Sequence, residues 1–202
     1  MPRSVAVDRT GSRIAIVDEN EVRAAAGLTM VVGAVAFSYA YFAKQYIPLR
    51  IAASLFFVDF LLRLTVGLGY SPVGVVARGI ARGRPAEWVS LRPKRFAWTL
   101  GLGMALAMTV ITNVGIRGWL PRTICLICLT LMWMESVLGL CVGCRIYGAL
   151  AGRGWIRTDP DGDSCAGGVC QPVTVGAEPA AAVHEPAVHE PAVKRAGEVV
   201  AR

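Results

Sequence analysis

Residues 122–144 read RTICLICLTLMWMESVLGLCVGC, a stretch in which Arg122 and Glu135 are the only charged side chains. A helix rises about 1.5 Å per residue, so about 20 apolar residues cover a hydrocarbon core of about 30 Å. A helix in a soluble core alternates polar and apolar faces, and this stretch does not. It reads as a membrane span over about 122–142 that carries Cys-x-x-Cys pairs at its two ends.

Three further apolar runs of similar length lie upstream, at about 24–43, 49–68 and 96–116. The whole chain agrees with them: 54% of its 202 residues are hydrophobic, 17% are charged, and the mean hydropathy is +0.51. That is too apolar for a soluble globule of this size. The sequence therefore predicts an all-α polytopic membrane bundle of about four helices over 18–150. A short N-terminal segment precedes it over 1–17, and a low-complexity tail follows over 151–202.

The helix boundaries have chemical markers. Asp18-Glu19-Asn20-Glu21 offers a capping side chain and carboxylates suited to the positive end of a helix. Ala24-Ala25-Ala26 precedes the first run rather than following it as a cleavage site would, so that run is expected to be retained. Gly67, Gly69 and Pro72 end the second run. Val73, Val76 and Ile80 then recur at helical spacing opposite Arg78 and Arg82, as in a short amphipathic helix in the headgroup region, with a polar loop as the alternative.

The net charge of +7 does not point to nucleic acid, because the cations avoid the apolar runs and gather between them. Arg82, Arg84, Arg92, Lys94 and Arg95 fall in one loop; the other side has only Lys44, Arg50, Arg117 and Arg122. The positive-inside rule puts the richer loop in the cytoplasm, and with four spans both termini are cytoplasmic as well. Four spans enclose little interior, so self-association in the bilayer is open to such a chain.

All 6 cysteines follow Ile124. If one helix carries both pairs, Cys125 and Cys144 stand 19 steps apart, about 28 Å. The facing pairs are then about 20 Å apart, which argues against a shared zinc unless the segment is re-entrant. Thiol exchange fits better, since cysteines three apart on a helix are neighbours and close a disulfide with modest adjustment. Cys125 and Cys128 would sit at the positive helix end beside Arg122. Cys141 and Cys144 would sit at the negative end, with Arg145 to offset it, so their reactivities should differ.

A simple relay meets an objection: over 16 residues at about 100° each, the pairs point to roughly opposite sides of an ideal helix. A bend at Gly139 or Gly143, a partner or a quinone would have to bridge them. The alternative is that small polarizable cysteines merely pack between helices.

Asp59 and Arg63 stand four apart on the second run, and Glu135 falls near the middle of the fourth. Charges at membrane depth need partners. The expectation is that Asp59 and Glu135 share Arg63, either as glue or as a proton or ion site.

The tail carries Cys165 and Cys170, and a repeat, Ala182-Val183-His184-Glu185-Pro186 then Ala187-Val188-His189-Glu190-Pro191. Frequent proline and few large apolar residues predict disorder. Cys165, Cys170, His184 and His189 are weak candidates for a soft metal. Asp159-Pro160-Asp161-Gly162-Asp163 fails as a calcium loop, since its glycine comes early and the twelfth position is Cys170.

Several motifs occur in order: Asp18-Glu19-Asn20 with Val22-Arg23; Asp59-Phe60 and Arg63 leading to Tyr70-Ser71-Pro72; Pro93-Lys94-Arg95-Phe96-Ala97; and Cys125, Cys128, Cys141, Gly143 and Cys144. Together they resemble a bacterial membrane family, domain of unknown function 4395, over about residues 12–150. The resemblance implies a multi-span inner-membrane protein and supplies no activity or cofactor. It also implies genes neighbouring those for thioredoxin-like and sulfurtransferase proteins, either of which would be a natural partner.

Three readings of function stay open at this point. One is thiol–disulfide or sulfur-transfer chemistry at Cys125, Cys128, Cys141 and Cys144. The second is a small transporter or ion pathway using Asp59, Arg63 and Glu135. The third is a non-catalytic membrane subunit.

Overall fold

The computed structural model describes residues 5–7 and 13–156. Its framework is six α-helices: α1 (Glu19–Phe42), α2 (Ile47–Thr65), α3 (Pro72–Ala81), α4 (Leu91–Asn113), α5 (Trp119–Leu138) and α6 (Val142–Gly152). Three of them, α1, α4 and α5, are long and apolar enough to cross a membrane. With 19 residues, α2 is nearly as long as α5, but it carries Arg50, Asp59 and Arg63.

Burial runs opposite to that of a soluble bundle. Val35, Leu55, Val110 and Leu126 are all half exposed or more, while Glu19, Asp59, Arg63, Lys94 and Glu135 are buried. An apolar outside around a charged inside is the arrangement a lipid solvent selects. The molecule is a membrane helix bundle.

Helix α1 is its central strut. Glu19, Val22, Ala26, Thr29, Gly33, Ala36 and Ala40 are buried at alternating steps of three and four, one continuous stripe. Most of these are small, which lets neighbouring helices come close. A Cβ at Gly33 would stand 3.3 Å from Leu129 of α5. Around this strut, α1 packs on α5, α3 and α2, while α4 packs on α2 and α6.

The sequence reading placed no strands, and here the structure adds to it. Strands β1 (Val5–Val7), β2 (Arg13–Asp18) and β3 (Trp88–Ser90) form an antiparallel sheet in that order. The register pairs Asp18 with Trp88 and Ile16 with Ser90. Strand β2 runs directly into α1, and β3 directly into α4. The sheet thus clamps two helix N-termini side by side at one end of the bundle.

Asp18 caps α1 as the sequence suggested: its side chain accepts a hydrogen bond from Asn20 N at 3.0 Å. It also accepts one from Glu87 N at 3.2 Å, so the cap and the sheet share one side chain. The segment after the second run is a helix rather than a loop. Ser71 caps α3 by accepting from Gly74 N at 2.9 Å. The buried positions of α3 are Gly74, Ala77 and Ala81, while Val75, Val76 and Ile80 point outward.

The expected fourth helix is two helices, which corrects the sequence reading. Helix α5 ends at Leu138, and Gly139 takes a left-handed conformation with φ 67°. The amides of Gly139 and Leu140 both donate to the Met134 carbonyl, closing the helix end. Glycine lacks the Cβ that makes this conformation costly. The chain turns, and α6 starts afresh at Val142 with Cys141 as its cap. The tail from residue 157, with Cys165, Cys170, His184 and His189, lies outside the described residues.

Candidate functional site

The inward stripe of α5 has Pro121, Cys125 and Glu135 buried, with Cys128 and Met132 between them at steps of three and four. It faces a cavity of about 320 Å³ that is walled by α1, α2, α4, α5 and the start of α6. The cavity is almost wholly apolar. Its thiol and polar side chains are Cys125 and Cys128 along α5, Glu135 further down, Thr29 of α1, and Cys141.

Cys141 reaches this space because of the turn at Gly139. On one unbroken helix it would face away from Cys125; the left-handed residue redirects the chain so that both line the same cavity. The turn also changes the electrostatics. Cys141 is not at the negative end of α5 but at the positive end of α6, where its Sγ accepts a hydrogen bond from Cys144 N at 3.4 Å. A helix N-terminus is a setting in which sulfur nucleophiles are found.

Cys144 is buried against Val89 of β3 and Cys141, with Val17 and Ala97 alongside. Between the two cysteines, Gly143 brings α6 against α4: a Cβ there would stand 2.5 Å from Ala97 Cβ. All four helix cysteines are free thiols. Among the described residues, no three His, Cys, Asp or Glu side chains converge on a position suited to a metal ion.

The buried charges collect at the end of the bundle that carries the sheet. Lys94 is 1% exposed. Its Nζ lies 2.8 Å from Glu19 Oε2 and 3.3 Å from Glu135 Oε1. Nearby, Arg63 pairs with Asp59 at 2.6 Å and lies over the Phe60 ring at 4.8 Å. The second Asp59 oxygen accepts from Val73 N at 3.1 Å and so ties α2 to α3. Arg23 of α1 donates to the Val137 carbonyl at 3.2 Å, holding the last turn of α5.

A family described as a domain of unknown function, DUF4395, matches residues 17–151. The chain belongs to the DUF4395 family. The matched span of the DUF4395 domain runs from β2 into the last turn of α6, so it contains both cysteine pairs and every buried ion pair described above. No curated protein and no solved structure matches the chain.

Within the DUF4395 domain, the residues singled out from sequence fall into two groups. Cys125, Cys128, Glu135 and Cys141 come together on the cavity. Asp59 and Arg63 form a separate pair. The expectation that Glu135 shares Arg63 is corrected: its carboxylate bonds Lys94. Nor does Glu135 sit at mid-helix; it is in the last turn of α5, as Arg63 is in the last turn of α2.

Sequence reasoning missed Glu19 and Lys94 as site residues. It took Glu19 as a helix-end carboxylate and Lys94 as one cation of a basic loop. A signal was available in the helix phase. Lys94, Trp98, Ala105, Met108 and Thr112 of α4 lie on one buried face, and extending the apolar stripe backward reaches Lys94 rather than Arg95.

Proposed function

We propose that this protein is a membrane thiol–disulfide carrier whose two cysteine pairs work through the space between them. The supporting observation is the single apolar cavity touched by Cys125, Cys128 and Cys141. Cysteines that merely filled gaps between helices would be packed on all sides, whereas these three, drawn from both pairs, border one space, with Cys144 packed behind Cys141.

In this reading the protein lies in the bacterial inner membrane, with both termini and the basic sheet-bearing end in the cytoplasm. Cys141 and Cys144 exchange with a thioredoxin-like or sulfurtransferase partner there, and Cys125 and Cys128 serve the opposite half of the bilayer. Cys141 and Cys144 are buried, so exchange with a protein requires the Gly139–Leu140 corner to swing out. That corner is suited to it, because α6 touches α5 sparingly and is held mainly by α4.

The exchange is a two-electron step. A partner thiolate attacks one sulfur of the Cys141–Cys144 disulfide, a mixed disulfide forms, and the partner's second thiol resolves it. The partner leaves as a disulfide and Cys141 and Cys144 leave as thiols, carrying the two protons that the partner's thiols gave up.

The test is differential alkylation in intact cells with a membrane-impermeant maleimide, before and after reduction, using single Cys→Ser variants to assign each signal. The expected result is that Cys141 and Cys144 label only after the membrane is opened and that both pairs change state with reductant. Four thiols that stay free under oxidant would overturn the reading.

A further inference from the structure

Resting on that thiol reading, we infer that the cavity is the binding site of a membrane quinone, the oxidant of the Cys125–Cys128 pair. Of the 6 methionines in the chain, Met104, Met108 and Met132 line this one space, together with the rings of Phe56 and Phe60. Thioethers and aromatic rings are the side chains that make favourable contacts with a flat conjugated ring. A site for a saturated acyl chain needs no such concentration of them.

The size and setting agree. A volume of about 320 Å³ is at the small end of ligand pockets, enough for a one- or two-ring head group. The walls carry almost no hydrogen-bonding groups, so the occupant is an apolar molecule that arrives through lipid. Close packing of α5 on α1 and of α4 on α2, with few contacts between α4 and α5, leaves the approach between α4 and α5.

The thiols supply the chemistry. Cys125 and Cys128 both border the cavity, one helical turn apart, the spacing at which helix residues are neighbours. Two S–H bonds break and one S–S bond forms. Two electrons and two protons pass to the carbonyl oxygens of the quinone, which leaves as the quinol. No other co-reactant is needed.

The experiment uses the full chain in detergent, reduced, freed of reductant under anaerobic conditions and mixed with decylubiquinone or a short-chain menaquinone. Loss of quinone absorbance and loss of protein thiols are followed together. One quinol formed for each two thiols lost is expected. Cys125→Ser and Cys128→Ser should abolish the reaction, and Leu126→Ala, on the outer face, should not change it. Met104→Trp and Met132→Trp, which fill the cavity, should slow it by about tenfold or more by closing access to the sulfurs, while each variant's pair still closes with the soluble oxidant diamide.

Thiols that close with diamide but not with quinone overturn the quinone site and leave the thiol reading standing. Thiols inert to both overturn the two together. Undiminished quinone reduction in both folded tryptophan variants also overturns the site, because the quinone then reacts elsewhere. So does purification with a phospholipid chain that quinone does not displace.

Discussion

Lys94 Nζ stands 2.8 Å from Glu19 Oε2, joining the first turns of α4 and α1 across 75 positions of the chain. The sheet makes this contact possible, because the Asp18–Trp88 register sets the two helix starts abreast. Glu135 closes the group from α5, so three helices meet on one ammonium. A cation so deeply buried is tolerable only because two carboxylates face it.

Removing that cation should be costly. Lys94→Met leaves Glu19 and Glu135 buried without it, and a loss of about 3–5 kcal/mol is expected for breaking such a group. Thermal unfolding in detergent reads it. Adding Glu19→Gln and Glu135→Gln to Lys94→Met should recover much of the loss, since no uncompensated charge then remains. A single variant as stable as the parent would show that the cluster does not hold the bundle end together.

The two arginine pairs should separate by burial. Arg78 donates to Glu21 at 2.9 Å but is 39% exposed. The hydrogen bond to Glu21 raises the pKa of this guanidinium further above neutrality, so Arg78 stays charged over the physiological range. Arg78→Ala should cost about 1 kcal/mol or less. Arg63→Ala strands Asp59 in the interior and should cost about 3–5 kcal/mol. Equal effects in the same unfolding assay would contradict the assignment of one pair to the surface and the other to the core.

Gly139 is the pivot of the thiol geometry. A side chain at φ 67° costs about 1–2 kcal/mol, so Gly139→Ala should lower the melting temperature modestly. The larger effect should be on Cys141, whose place at the cavity depends on the turn. Its alkylation rate in Gly139→Ala should move away from the parent value while that of Cys125 does not. Unchanged rates at both would mean that the corner tolerates other conformations.

Gly143 tests the seat of α6. Any side chain there collides with Ala97, so Gly143→Val should lift α6 from α4 and expose Cys144 to alkylation. Ala97→Gly in the same chain should restore part of the protection and no more, since it removes the Cβ that is struck and leaves the Ala97 Cα at 2.7 Å. Rescue by the second substitution distinguishes a steric contact from a general loss of folding.

Much of the architecture is readable from the chain alone. The apolar runs announce the long helices, Asp18 announces the start of α1, and Gly139 and Gly143 are named by sequence as places for a bend in the fourth run. The short helix after Pro72 follows from the spacing of Val73, Val76 and Ile80. The strands were not legible because β1 and β3 are only three residues long, too short for alternation to stand out from a polar loop.

What the sequence determined by itself is a lipid-solvated helix bundle with thiols in two close pairs, because the free energy of apolar segments and the spacing of neighbours on a helix are local properties. What only the tertiary structure decided is which groups face one another. The left-handed turn at Gly139 brings Cys141 round to the cavity of Cys125 and Cys128, and the β2–β3 register brings Lys94 to Glu19 and Glu135. The register joins segments far apart in the chain, and the place of Cys141 rests on α6 packing against α4 after a local turn. Periodicity says which face of a helix is inward, but not what waits there.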